Sequence, residues 1–281
     1  MKAGYRMIGY ACRVRTDLPD VMRLVRELLS PFEVSGLEGP EYRLERIADP
    51  ADPNPFRLTV DDREAHRVAT SLGLVDELLW ELNRAAIPTA PGVAVHAGAV
   101  SLEGRGVVLP APMDSGKTTL TAGLVAAGFS YLSDEAALIA PDTGELLAYP
   151  KPLWLSPGSV GAVDGLRGRV MPEYRELGRM RTYVRPDDLR AGAVGSACPV
   201  ALVVAPRFLA ASPVRLEPMS RAATLMCLAE NSFNLRELGG RGLEQLRRSV
   251  VGAHGYRLTH GDLDEAVAKI LALVRQGANA R

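Results

Sequence analysis

Hydrophobic positions in the N-terminal part of the chain follow two periods. Tyr5–Arg15 alternates apolar and polar residues and predicts a strand. Over Leu18–Leu29 the apolar residues Val21, Met22, Leu24, Val25, Leu28 and Leu29 recur at helical spacing, and Pro31 closes the segment. Tyr42–Ile47 and Phe56–Val60 predict two more strands, separated by a Pro-, Asp- and Ala-rich loop over Asp49–Pro55. Leu74–Ala86 returns to helical spacing, with Pro88 and Pro91 ending it. Together these elements make a small α+β domain over residues 1–88.

A second domain, 89–281, starts where the pattern changes. Val93–Leu102 predicts a strand rich in Val and Ala, Gly104-Arg105-Gly106 a turn, and Val107–Pro110 a strand apolar on both faces, as buried strands are. A Gly-containing loop leads into a helix over Lys117–Ala127, with Gly128 as its C-terminal stop. Phe129–Leu132 is a strand that ends at Ser133-Asp134-Glu135, and Ala136–Ala140 continues extended. Leu146–Tyr149, Ala201–Val204 and Tyr256–Leu258 are further strands; Arg221–Ala229, Arg241–Val251 and Leu263–Val274 read as helices, the last with Asp262 as N-cap. The Gly- and Arg-rich stretch Pro157–Leu189 lacks periodicity and reads as a mobile loop. The alternation of strand and helix predicts an α/β fold.

Composition narrows the functional classes. The 281 residues are 47% hydrophobic and 23% charged, enough to bury a core. Thirty-three basic and 33 acidic residues leave no net charge, which disfavours a general nucleic-acid binder. Cys12, Cys198 and Cys227 are far apart and form no CxxC pair, so neither a disulfide framework nor a structural zinc site is expected; buried, inert thiols in a reducing compartment are. No uncharged apolar run reaches the roughly 18–20 residues of a membrane span, and Met1–Arg13 lacks the apolar stretch of a signal peptide. The expectation is a soluble cytoplasmic protein.

The most informative stretch is Ala111-Pro112-Met113-Asp114-Ser115-Gly116-Lys117-Thr118, followed by Thr119. It fits a relaxed phosphate-binding loop with Ala in place of the first Gly. Such a loop turns successive backbone N–H groups, and the positive end of the next helix, toward phosphate oxygens. Lys117 would reach the β- and γ-phosphates, the Thr118 hydroxyl would ligate Mg²⁺, and Gly116 would let the backbone approach a phosphate closely. The preceding buried strand and the following helix are the context such a loop needs. Asp114 is the exception: it places a carboxylate where an anion must sit.

Asp134-Glu135 follows a strand directly. One carboxylate there would complete a Mg²⁺ shell and the other accept a proton from a hydroxyl acceptor, provided the strand end bends. The same dipeptide also suits a solvated turn, and the residues alone do not divide the two roles. His96 lies among small and apolar residues, where a lone His is most often a core residue, but a hairpin between Val93–Leu102 and Val107–Leu109 would bring it near the loop.

These residues together resemble the C-terminal kinase domain of the HPr kinase/phosphorylase family. The resemblance rests on His96-Ala97-Gly98, the glycine turn, the phosphate loop and Phe129–Ala136, with His96 15 residues before Ala111 and Asp134 17 after Lys117. It covers about residues 93–140. Tyr149-Pro150-Lys151-Pro152-Leu153 and Leu238–Leu243 look like the shorter HPr-kinase-related proteins, some encoded with peptide-modification or polysaccharide pathways. The resemblance implies a kinase fold shared with phosphoenolpyruvate carboxykinase and ATP and Mg²⁺ as cofactors. It further implies Asp134 as base toward a serine hydroxyl, Glu135 with Thr118 on the metal, and His96 near the terminal phosphate. The chain departs from the family in having Asp-Glu for Asp-Asp and a less Gly-rich loop, and in lacking the Glu-Ile-Arg-Gly-Leu-Gly signature.

Several residues stay open. Arg179, Arg181 and Arg185 fit either a loop that neutralises transition-state charge or a solvated face. Lys151 would contact acceptor or phosphate, and Arg241 a phosphate, if either is functional. His254 and His260 read as surface residues, Trp80 and Trp154 as core or interface residues. The leading expectation is a kinase acting on a serine-containing peptide, small protein or small molecule; a homo-oligomer is compatible with it. A nucleotide-binding module without turnover and a P-loop hydrolase are the alternatives.

Overall fold

The computed structural model describes residues 1–49, 51–113, 115–163, 166 and 182–279. The chain divides into two compact units, Met1–Thr89 with Met171–Tyr183 and Ala90–Val170 with Val184–Arg281. Tyr183 donates to the Asp76 carboxylate within the first unit. No helix among the described residues is long and apolar enough to cross a membrane.

In the first unit, six strands form one sheet: β1 (Lys2–Met7), β2 (Tyr10–Thr16), β3 (Glu33–Val34), β4 (Glu41–Arg46), β5 (Phe56–Val60) and β6 (Arg63–Val68), in the order β3-β1-β2-β4-β5-β6. The single strand expected over Tyr5–Arg15 is a hairpin, paired from Lys2↔Arg15 to Met7↔Tyr10 and turned at Ile8-Gly9. Alternation survives the turn, because Tyr5 and Met7 on one strand and Cys12 and Val14 on the other all face inward. Against this face lie α1 (Pro19–Leu28) and α2 (Ser71–Ala86), burying the apolar stripes that defined them. Thr70 caps α2, accepting from the Gly73 N–H. Trp80 is 51% exposed, a correction to the core reading; its ring lies edge-on to His66 and under the Arg84 guanidinium.

The second unit is a mixed α/β layer structure. The strands of its main sheet are β7 (Val93–Leu102), β8 (Arg105–Pro110), β9 (Ser130–Ser133), β10 (Ala136–Ile139), β11 (Leu146–Leu147), β12 (Val200–Phe208), β13 (Arg215–Met219) and β14 (His254–His260). The order is β11-β10-β7-β8-β12-β14-β13, with β9 also on β7. β8, β12 and β14 run parallel; the other pairings are antiparallel. The β7–β8 turn is Glu103-Gly104, both at positive φ, one residue earlier than expected and in the geometry tight hairpins favour.

β7 buries different neighbours on its two faces. Val93, Val95, Ala97 and Ala99 join one core with Leu228 and Leu246 of α4 (Arg221–Glu230) and α5 (Leu235–Val250). Helix α5 begins earlier than the Arg241 expected, and is kinked at Gly239. On the other face, α3 (Lys117–Ala126) crosses β7 at Gly98, where an added Cβ would stand 2.3 Å from Thr121 Oγ1. Gly123 in turn admits Leu263 and Val267 of α6 (Leu263–Asn279), whose N-cap is Asp262, accepting from the Glu265 N–H at 2.8 Å. Within the stretch expected to be a loop, Pro157–Ala162 and Pro186–Leu189 are short helices.

The contact at Gly98 gives a prediction. Gly98→Ala should destabilise the protein by about 1–3 kcal/mol through overpacking, and Gly98→Ala with Thr121→Ala should recover most of that loss. Chemical denaturation measures both; equal stability of the single variant and wild type would show that α3 does not depend on this close approach.

Candidate active site

Strand β7 assembles the site. Its residue Ala97 pairs with Pro110, the last residue of β8, so the loop starting at Ala111 leaves the sheet at that level. On its other edge β7 pairs with both β9 and β10, and the break between them is Asp134-Glu135. His96 opposes Ala136, and the Ala97 N–H donates to the Glu135 carbonyl at 3.2 Å. The acidic pair, the histidine and the start of the loop are thus fixed at one height by register alone. His96 lies on the same face as Gly98, hence toward α3.

Lys117, in the first turn of α3, is buried, and its Nζ lies 2.7 Å from His96 Nε2 and 3.4 Å from the Ala111 carbonyl oxygen. Burial pushes the His96 pKa down, and the neighbouring Lys117 charge adds to this against Glu135 and Asp134. Burial lowers the Lys117 pKa too, with Lys151 acting in the same direction and Glu135 and Asp134 opposing. One arrangement serves both groups: a Lys117 ammonium donating to the bare Nε2 of a neutral imidazole. His96 Nε2 lies 3.9 Å from Glu135 Oε1, and the Phe233 ring packs on the imidazole with centroids 5.4 Å apart.

Asp134 is almost fully buried. Lys151 Nζ stands 3.0 Å from Asp134 Oδ1 and 3.9 Å from Glu135 Oε2, while the Tyr131 hydroxyl donates to both Asp134 Oδ1 (3.1 Å) and the Lys151 carbonyl (2.9 Å). Burial works against the Lys151 charge, but Asp134 and Glu135 outweigh it and hold the ammonium above its ordinary pKa. Lys151 is therefore the partner of the acidic pair. The sequence offered Lys151 as a contact for acceptor or phosphate rather than for the acidic pair, and gave Tyr131 no role.

The loop residues separate by environment. Ala111 is buried, Pro112 and Met113 are exposed, and Ser115, Gly116, Thr118 and Thr119 are half-buried. Asp114 lies outside the described residues, as do Arg179 and Arg181. Gly116 has φ +85°, and the Phe208 N–H donates to the Ser115 carbonyl at 3.1 Å. Thr119 turns from the loop to donate to Ser159 Oγ at 2.7 Å. Arg185 pairs with Asp188 at 2.7 Å, and Arg241 is exposed. His254 is exposed, but His260 is buried, a correction to the surface reading: it ends β14, and its ring sits beneath the loop against Phe208. Burial lowers its pKa against the opposing pull of Asp262.

The donors a metal would use are the Thr118 hydroxyl and the Glu135 carboxylate, from which His96 Nε2 and Lys151 Nζ both stand off at 3.9 Å. Among the described residues no group of three or more His, Cys, Asp or Glu could hold an ion. That set of hard oxygens fits Mg²⁺, which binds through one or two protein oxygens plus substrate phosphates and water.

No family model matches the chain, and no curated protein matches it. Among solved structures it is similar to the Hpr(Ser) kinase/phosphatase from Coxiella burnetii, at 13% identity and a TM-score of 0.33, over 65% of this chain and 94% of that one. That likeness is distant.

The His96 environment predicts a pH dependence. Its folded pKa lies below its unfolded value of about 6.5, so below that pH the unfolded chain binds the extra proton. The stability it contributes is present above about pH 6.5 and is lost as pH falls further. His96→Gln should lose less stability than wild type between pH 7.5 and 5.5 in urea denaturation. Parallel curves for the two proteins would contradict a neutral, half-buried His96.

Proposed function

We propose that this protein is an ATP- and Mg²⁺-dependent kinase that transfers the γ-phosphoryl group to a serine hydroxyl of a peptide, small protein or small molecule. The observation that carries the reading is the convergence of Lys117, His96, Asp134, Glu135 and Lys151 at the mouth of a loop that opens a helix. Phosphates would lie against the N–H groups of Ser115–Thr118 and the positive end of α3. Lys117 would then exchange neutral His96 for phosphate oxygens, where its charge gains more than it does beside an imidazole. His96 stays uncharged beside the transferred group. Mg²⁺ held by Thr118 and Glu135 would neutralise charge on the phosphates.

Asp134 is the base. Lys151 and Tyr131 hold its carboxylate in place, fixing its orientation toward the acceptor. The serine oxygen bonds to the γ-phosphorus, the bond to the β-phosphate oxygen breaks, and the serine proton passes to Asp134. The same Lys151 contact favours a second reading, a nucleotide-binding module without turnover, because an acceptor hydroxyl must compete with an ammonium for Asp134.

The test is transfer from γ-labelled ATP with Mg²⁺ to free serine, serine-ended peptides and a small carrier protein. Wild type should label an acceptor. Lys117→Met should keep a Tm at or above wild type, since it removes a buried charge whose near neighbour is an imidazole, yet lose nucleotide binding. Asp134→Asn should bind ATP within a few-fold of wild type and transfer at least about 100-fold more slowly. ATP bound tightly with no label moved to any acceptor would favour the module; free phosphate alone would mean a hydrolase; failure of wild type to bind ATP would remove the basis of the proposal.

A further inference from the structure

The loop has two sides, and each carries an exposed aromatic ring. Phe233 packs on His96, so it belongs to the side where Lys117 points and a terminal phosphate would lie. Phe208 belongs to the other side. It is the last residue of β12, 52% exposed, and its N–H is bonded to the Ser115 carbonyl. Because Gly116 takes a positive φ, the place of its missing side chain faces β12: a Cβ there would stand 3.1 Å from Phe208 Cβ and 4.0 Å from His260 Nε2.

The carboxyl ends of three parallel strands lie on this side of the sheet. β8 ends at Pro110 before the loop, while Phe208 and His260 are paired residues at the ends of β12 and β14. The carboxyl ends of parallel strands are where α/β sheets bind ligands. Beneath Phe208, His260 is 3% exposed, and among the described residues neither its ring nitrogens nor the buried Ser115 hydroxyl makes a hydrogen bond of normal geometry. Buried polar groups are nearly always bonded, so unbonded ones beside a loop point to a polar ligand that completes them. The Phe208 ring stands at 71° to the imidazole, centroids 5.7 Å apart, while half of the residue stays exposed. Leu209, next in the chain, and Met113, in the loop, are also exposed apolar residues.

We propose that Phe208 is the platform on which the base of a nucleoside triphosphate stacks, and that the phosphoryl donor is therefore a nucleotide and not pyrophosphate. This rests on the loop being a phosphate cradle. With the terminal phosphate at Lys117, the ribose joins the chain of phosphates to a base on the opposite side, where Phe208 is the exposed ring. His260 and Ser115 then serve the polar phosphoribosyl end. Stacking tolerates any base, so ATP and GTP bind with similar affinity.

Calorimetric titrations with ATP and with inorganic tripolyphosphate separate the possibilities. Phe208→Ala should weaken ATP by about tenfold or more, the order of a base–aromatic stack, and leave tripolyphosphate within twofold. Phe208→Trp should retain ATP affinity and show fluorescence quenching with ATP but not with tripolyphosphate, which also guards against a misfolded alanine variant. Equal weakening of both ligands in Phe208→Ala would make Phe208 a brace for the loop and overturn the inference. So would ATP affinity unchanged in Phe208→Ala. Wild type binding neither ligand would instead overturn the phosphate-cradle reading, and this inference with it.

Discussion

The register of β7 is the constraint on which the site depends. Over His96–Gly98 this strand meets the end of β8, the break between β9 and β10, and the crossing of α3. A slip of one residue would turn His96 to the opposite face and bury it among the α4 and α5 contacts. It would also put a side chain where Gly98 now admits Thr121. The small residues at 97, 98 and 99 are therefore part of the site's construction, though none carries chemistry.

Within that frame the electrostatics are unevenly settled. Asp134 has its cation, Lys151, and a tyrosine hydroxyl as well. Among the described residues Lys117 has only an imidazole and a carbonyl oxygen at 3.4 Å as partners, and its burial works against its charge. A buried ammonium without a contacting carboxylate is costly. It is explained if an anion joins it, and the end of α3 is where backbone dipoles favour one. Stability and function pull in opposite directions at this residue, as expected where a site is prepared for a ligand.

Legibility in the sequence followed local physics. Strong periods and glycine punctuation located β7, β5 and α3 within a residue or two, because each element's own residues specify it. The hairpin inside Tyr5–Arg15 escaped because Gly9 sits in an alternation that stays in phase across the turn. β6 escaped because both its faces are polar, as an edge strand tolerates. Among the site residues, the loop and acidic pair announce themselves by spacing and chemistry. Lys151's pairing with Asp134, His260's burial under the loop and Phe208's place beside Gly116 depend on which strands become neighbours, and no local pattern encodes that. His260 looked like a surface residue for the same reason.

The central claim is that the loop between β8 and α3 cradles a nucleotide's phosphates with the terminal one facing Asp134. A crystal structure of the protein with Mg²⁺ and a non-hydrolysable ATP analogue tests it directly. Phosphate oxygens are expected on the N–H groups of Ser115–Thr118, with Lys117 Nζ moved off His96 onto them. A nucleotide bound elsewhere, or a Lys117–His96 contact unchanged with the loop empty at saturating analogue, would contradict it.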